Sequence, residues 1–190
     1  MRARTLAAMF AATLIAQPAR AQSPRSSGGE GVTLMGGAGV GWTRAACGFC
    51  RRSRDAGPVI YLQLTTPLKT NLALGAEGNV WVRDAEVFSL VGSLSAIAQL
   101  NPRPGSPLYL KAGLGYTTYR AFDDEADLVS NAPAMQLGAG YRVPITPELA
   151  LNTFANVLVS RFGKLRTEET VVVDNFGITS IQLGVGLTRH

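Results

Sequence analysis

The chain has 190 residues, of which 46% are hydrophobic and only 16% charged, with 21 glycines and a formal net charge of +5. Soluble domains usually carry about 25% charged residues, so this composition is apolar for a protein that faces water. A membrane-spanning helix needs about 20 consecutive apolar residues, and no such run follows the N-terminal segment. The composition therefore argues against a helical membrane protein, and the length suits one domain.

The first 21 residues have the features of a secretory signal peptide. Arg2 and Arg4 form a basic start, Leu6–Ala16 is an apolar run too short to span a bilayer, and Ala19–Ala21 offers the small residues of a cleavage site. We predict cleavage after Ala21, with an uncleaved anchor as the alternative. Residues 22–31 are polar and rich in Gly and Ser, which is typical of a flexible lead-in.

The basic charge is not a nucleic-acid signal. Removal of Arg2, Arg4 and Arg20 with the signal peptide lowers the formal charge from +5 to about +2. The remaining basic residues form no stripe with interleaved aromatics, so we expect no nucleic-acid partner.

From residue 32 onward, apolar residues alternate with small or polar ones, and this period of two predicts β-strands. We expect eight strands of about ten residues, the length that a tilted strand needs to cross a bilayer. Long or charged loops at 44–57, 121–133 and 162–176 alternate with short turns at 66–71, 101–107 and 144–147, and the connection at 84–86 is short where a long one is expected. The predicted strands cover residues 32–43, 60–65, 72–83, 87–99, 108–117, 135–143, 149–160 and 177–188.

The last strand shows the two-faced pattern most plainly. One face carries Ile181, Leu183, Val185 and Leu187, and the other carries Gln182, Gly184, Gly186 and Thr188. Along the chain the second face is rich in Gly, Ser, Thr, Gln and Asn and poor in charges, unlike a surface exposed to water. We therefore predict that the apolar face points outward into lipid. The alternative is a secreted soluble barrel of the lipocalin type, which would hold a small apolar ligand inside.

An inward polar face places charges inside the barrel. Isolated charges in a narrow lumen are costly, so we predict that Glu77 pairs with Lys111, Arg142 or both. Because the interior of eight strands is only just filled by side chains, we expect a plugged lumen and not an open pore, with a gate or ion path as the alternative. By its parity Trp81 also points inward, as a cap. The predicted lumen network consists of Glu77, Lys111, Arg142, Arg83, Gln63, Gln136, Asn152, Asn156 and Gln182.

Cys47 and Cys50 are the only cysteines, and in an exported protein we predict that they form a disulfide in the first external loop. The alternatives are free or metal-linked thiols and a redox-active pair. No amphipathic helix follows to lower a thiol pKa. The arginines around this motif could face lipopolysaccharide phosphates or could simply be solvated; this external basic cluster consists of Arg44, Arg51, Arg52 and Arg54.

Catalytic and metal-binding signals are weak. The only histidine is His190, so catalysis that depends on histidine is not expected, and we predict that the protein is not an enzyme. The acidic loop lacks the spacing of a calcium loop, and we expect neither a metal nor a cofactor. Its acidic residues are Asp123, Asp124, Glu125 and Asp127.

Over about residues 31–190 the chain resembles the small bacterial outer-membrane β-barrel proteins of the OmpA/OmpX-like class. The resemblance rests on the signal peptide, the loop alternation and repeated Gly-x-Gly strand patterns at 37–41, 113–115, 138–140 and 184–186. It implies an all-β, eight-stranded antiparallel up-and-down transmembrane barrel over residues 32–190, with both termini in the periplasm. It also implies an outer-membrane location and a structural, adhesive or envelope-interaction role. The implied partners are outer-membrane lipid, including lipopolysaccharide, and the barrel-assembly machinery.

Overall fold

The computed structural model describes residues 31–48, 50, 53–85, 87–122, 127–167 and 170–189. The predicted signal peptide and residues 22–30 of the predicted lead-in lie outside the described residues. Cleavage after Ala21 therefore stays a prediction.

The fold is a single closed sheet. Each strand pairs antiparallel with the next, and the last strand pairs with the first, so the eight strands form a barrel. Closure leaves no sheet edge without a partner, which is the condition for a sheet in lipid. The predicted eight-stranded up-and-down fold is confirmed. The strands are β1 (Thr33–Ala46), β2 (Asp55–Lys69), β3 (Leu72–Arg83), β4 (Phe88–Leu100), β5 (Leu108–Phe122), β6 (Asp127–Pro144), β7 (Leu149–Arg166) and β8 (Val171–Arg189).

Large apolar side chains cover the outside of the barrel. Along β2, Leu62 is 58% exposed whereas the next residue, Gln63, is 2% exposed. The same alternation continues around the ring, and Leu114 on β5 reaches 70% exposure. A continuous apolar surface of this kind is unfavourable in water and matches the lipid-facing band of a transmembrane barrel. Among the described residues, no helix is long and apolar enough to cross a membrane.

Six of the eight strands are longer than the sequence predicted, and β8 reaches 19 residues, whereas β3 covers the predicted residues Leu72–Arg83. Most of the predicted loops at 121–133 and 162–176 belongs to paired strands, and β2 continues to Lys69 through most of the predicted turn at 66–71. Register shifts near Ser160 and Gly163 explain part of the difference, because they interrupt the period of two while the ladder continues. Phe162 and Asn175 have positive φ angles of 63° and 58° beside these shifts.

The two ends of the barrel differ. The inner end carries the first and last strand residues, Thr33 and Arg189, together with the short connections 70–71, 101–107 and 145–148. The outer end carries the connection between β1 and β2, which contains Cys47 and Cys50.

The barrel interior as candidate functional site

The interior is filled by two apolar clusters and a polar network. The outer cluster consists of buried apolar side chains beneath the outer end, and the inner cluster contains three aromatic rings and a methionine. The outer cluster is Val59, Trp81, Val91, Leu165, Val173, Phe176 and Ile178. The inner cluster is Met35, Tyr61, Tyr109 and Phe154.

The centre of the polar network is an ion pair. Lys111 Nζ contacts Glu77 Oε2, and both side chains are 0% exposed. Asn156 Nδ2 donates to the other Glu77 oxygen, Oε1, at 3.3 Å. A buried ion pair is favourable only when further hydrogen bonds satisfy its remaining atoms, and Asn156 makes one of these bonds.

Amide side chains extend this network across neighbouring strands. Lys111 Nζ also donates to Gln63 Oε1 at 3.4 Å, and Gln63 Nε2 donates to Gln99 Oε1 at 3.0 Å. On the same inward face, Gln182 Nε2 donates to Asn79 Oδ1 at 3.1 Å. The network thus joins β2, β3, β4, β5 and β7 through buried side chains, which ties the wall together from inside.

The inner cluster lies beside this network. The Lys111 Nζ atom is 5.8 Å from the centre of the Tyr61 ring, and that ring lies 4.1 Å from the Phe154 ring centre. Asn152 Nδ2 donates to Tyr61 Oη at 3.2 Å and to Tyr109 Oη at 2.9 Å. One buried amide therefore fixes two phenols.

Glycines on β8 make room for the inner cluster. A Cβ atom added at Gly184 would lie 2.5 Å from Phe154 Cε1, and one at Gly186 would lie 2.8 Å from Tyr61 Oη. Both distances are too short for any larger side chain in a close-packed interior. The Gly-x-Gly pattern of the last strand is therefore a packing feature, since the aromatic rings and the carbonyl oxygens of Ala38 and Gly36 on β1 occupy the space that side chains would need.

The outer cluster is held together by apolar packing and by one buried hydrogen bond from the indole N–H of Trp81. Trp81 is 2% exposed, and its Nε1 donates to the Gly41 carbonyl oxygen at 3.0 Å. Cys47 and Cys50 form the predicted disulfide, with an S–S distance of 2.05 Å, and both pack against the cluster. The disulfide thus belongs to the cover of the lumen at its outer end.

Two predicted members of the lumen network do not contact Glu77. Arg83 pairs with Asp55 at 3.0 Å near the outer end, where both side chains are partly exposed. Arg142 does not reach Glu77; its guanidinium carbon lies 5.6 Å from the centre of the Tyr109 ring. Strand parity places both arginines inward, but only the stagger of the strands determines which acidic group each cation meets.

The remaining predicted site residues are partly described. Gln136 is buried in the lumen, and its Nε2 atom has no hydrogen-bond partner among the described residues. Arg54 Nη1 donates to the Trp42 carbonyl oxygen at 3.5 Å, and Arg44 is half-buried. Arg51, Arg52, Asp123, Asp124, Glu125 and His190 lie outside the described residues, so a single external basic cluster stays a prediction. In the described ranges, no group of three His, Cys, Asp or Glu residues could hold a metal ion.

Sequence reasoning assigned no role to the aromatic rings of the inner cluster or to Gln99. The available signal was parity, because Tyr61, Tyr109 and Phe154 all occupy positions on the inward face of their strands. Aromatic residues at inward positions of a small barrel are candidates for filling the lumen whenever glycines stand on neighbouring strands.

No protein-family model matches the chain, and no curated protein matches it in sequence. Solved structures do resemble it. The neisserial surface protein A (NspA) shares 14% identity at a TM-score of 0.58, with 84% of this chain and 99% of that chain covered. The attachment invasion locus protein Ail of Yersinia pestis shares 12% identity at a TM-score of 0.50, with the same coverage of the two chains. The chain therefore has the fold of small eight-stranded outer-membrane β-barrel proteins.

Proposed function

We propose that this protein is an outer-membrane barrel with a closed lumen, which acts in the cell envelope through its surfaces and not through catalysis or permeation. The observation that carries the proposal is the outer cluster, in which Val59 and Val91 are 0% exposed and Trp81 is 2% exposed. A conducting pore would need a hydrated path past these side chains, and a narrow apolar constriction excludes water and ions.

The location in the outer membrane is supported by the outward apolar surface together with the predicted signal peptide. A closed barrel satisfies every ladder group of its strands, which lipid requires, and bacterial outer membranes are the usual home of such barrels. We propose that the inner end faces the periplasm, since short turns are typical of that side.

A soluble carrier of an apolar ligand is a weaker interpretation. Such a barrel would turn its apolar residues inward, but Leu62 and Leu114 point outward and the lumen centre holds an ion pair. The chain's single histidine is its final residue, so we propose no catalytic role for the protein.

The partners that we propose are at the outer end. NspA is named a surface protein and Ail an attachment invasion locus protein, and contact with other molecules at the cell surface is a role that this chain could share. Outer-membrane lipid surrounds the barrel in this proposal, with the predicted basic cluster facing lipopolysaccharide phosphates, to which arginine is well suited. The barrel-assembly machinery would act only during biogenesis.

Two measurements test the proposal. Fractionation of the bacterial envelope should place the protein in the outer membrane, extractable only with detergent and with a heat-modifiable mobility on gels. In planar bilayers the purified barrel should show no discrete conductance steps under conditions in which a large porin conducts. Recovery from the periplasm without detergent would contradict the location, and steady conductance of the wild-type protein would contradict the closed lumen.

A further inference from the structure

A pocket of about 700 Å³ opens at the inner end of the barrel. Its wall consists of the first residues of β1, the end of β2 and the turn into β3, and its floor includes Gln99 and Arg142 from the lumen. This volume is in the range of about 300–1,000 Å³ that is typical of small-molecule sites. The pocket is therefore large enough for a solute.

The charged residues in the described lining of the pocket are all cations. Lys69 and Arg142 are among them, and none of the described lining residues is an aspartate or a glutamate. The nearby lumen carboxylate, Glu77, is engaged by Lys111. The two cations of the pocket thus have no acidic partner within its described lining.

Arg142 is held in place but is not neutralised. Its guanidinium lies against the Tyr109 ring at 5.6 Å, and the Tyr109 hydroxyl is fixed by Asn152. The Nε atom of Arg142 is buried and has no hydrogen-bond partner among the described residues. A buried donor without a partner is costly, and a planar guanidinium is matched best by an oxyanion that accepts two hydrogen bonds.

Other donors face the same space. Gln63 Nε2 donates to the side-chain oxygen of Gln99, Oε1. The N–H groups of the Gln99 amide are therefore the donors that this side chain contributes to the pocket lining. Lys69 stands at the rim as an exposed cation. The arrangement combines a guanidinium held against an aromatic ring, an amide donor and an exposed ammonium.

We propose that this pocket binds a small oxyanion, a carboxylate or phosphate group, with Arg142 as the main ligand-binding residue. Arg142 pairs with two oxygens of the anion, Gln99 donates a hydrogen bond, and Lys69 adds attraction at the entrance. That the anion arrives from the periplasm rests on the proposed function, but binding itself does not.

The test uses the mature chain folded in micelles of an uncharged detergent, where both ends of the barrel are accessible. Inorganic phosphate and citrate are titrated at constant ionic strength set with sodium chloride, with heats measured by calorimetry. In parallel, NMR follows the Arg142 Nε–H signal, which is assigned by its loss in Arg142→Gln. We expect saturable binding and a saturable shift of that signal for at least one of the two anions.

Variants separate a site from general attraction. Arg142→Gln should weaken binding at least tenfold, Arg142→Lys should restore part of it, and Lys69→Gln should weaken it several-fold. The control is Arg189→Gln, which removes an exposed cation from the same end outside the described pocket lining and should leave the affinity unchanged. The heat-modifiable gel shift verifies folding, and Arg142→Lys and Lys69→Gln carry the test if Arg142→Gln does not fold.

Micelles doped with phosphatidylglycerol, without added phosphate, distinguish the source of the anion. A shift of the Arg142 signal in that arm identifies a lipid headgroup, and a shift only with free anions identifies a solute; either result supports the oxyanion site. Changes that do not saturate, or that are equal in all variants, overturn the proposal. Because micelles have no sidedness, this result is independent of the conductance and fractionation results.

Discussion

The outer and inner halves of the lumen are closed by different kinds of interaction. In the outer half Val59 and Val91 are 0% exposed, and packing around Trp81 provides the closure. In the inner half an ion pair, amide–amide bonds and an amide between two phenols fill the space. The outer half therefore depends on close apolar packing, and the inner half depends also on hydrogen bonds between buried polar groups.

This difference indicates where a barrier to ions would lie. A narrow apolar constriction excludes water and therefore ions, even when polar groups lie beneath it. The inner half combines the inner cluster with polar side chains and ends in a pocket that is open at the inner end. We infer that the outer cluster is the seal, and that the polar network mainly stabilises the barrel wall. Three predictions test this division.

The largest effect is expected from removing one partner of the ion pair. Lys111→Met leaves Glu77 buried without its cation, which should lower the free energy of unfolding by about 3–5 kcal/mol. The double variant Glu77→Gln, Lys111→Met should recover most of this loss, because no buried charge remains. Urea unfolding in lipid vesicles, followed by the heat-modifiable gel shift, measures both.

The matched control for this prediction is the exposed ion pair. Arg83→Met breaks the contact with Asp55, and because both side chains are partly exposed the change should stay below about 1 kcal/mol. Equal losses in the single and double lumen variants would show that the two buried charges are not coupled.

The contrast between these two pairs also shows what the sequence could predict. Alternation was enough to predict eight strands, their inward and outward faces, and the inward position of Glu77 and Lys111. It named Lys111 and Arg142 as candidate partners of Glu77 but could not choose between them, because Lys111 is 34 residues away and on a strand that is not adjacent. That contact depends on the stagger of the closed barrel, which has no local signal.

Strand length was predicted less well than strand faces, for a related reason. Asp, Asn and Pro in 121–133 are typical of loops, yet Asp127 begins β6 and Asn131 pairs with Lys164. Beyond the apolar surface, hairpin pairing continues without an alternation of apolar residues. The outer limit of each strand therefore depends on its neighbour and not on its own composition.

A smaller loss of stability, but a change in permeability, is expected from opening the outer cluster. Trp81→Ala removes a large buried side chain and the bond to Gly41, which should cost about 3 kcal/mol in the free energy of unfolding. If the outer cluster is the seal, this variant should show conductance steps in planar bilayers. Lys111→Met should show none at a temperature where it stays folded.

Two further variants control the Trp81 experiment. Trp81→Phe keeps most of the apolar volume and loses the indole N–H, so it should stay closed and lose only about 1 kcal/mol. Trp42→Ala removes the other tryptophan, which lies on the outward face, and should not conduct. Conductance in Lys111→Met but not in Trp81→Ala would place the barrier in the inner half instead.

The smallest changes in the free energy of unfolding are expected from substituting two glycines with alanine. The pair distinguishes a glycine that close packing in the inner half requires from a general requirement for glycine in the strands. Gly184→Ala inserts a methyl group against the Phe154 ring and the Ala38 carbonyl oxygen, and overpacking of this kind should cost about 2 kcal/mol. At Gly92 on β4 an added Cβ has no heavy atom within 4 Å, so Gly92→Ala should stabilise the strand by about 0.5 kcal/mol.

Urea unfolding of the two variants under identical conditions gives the sign of each change. Opposite signs would mean that the close contacts at position 184, and not a general need for flexible strands, require a glycine there. Losses of equal size would show instead that the barrel needs backbone freedom, and the inner half would then be less tightly packed than its aromatic contacts indicate.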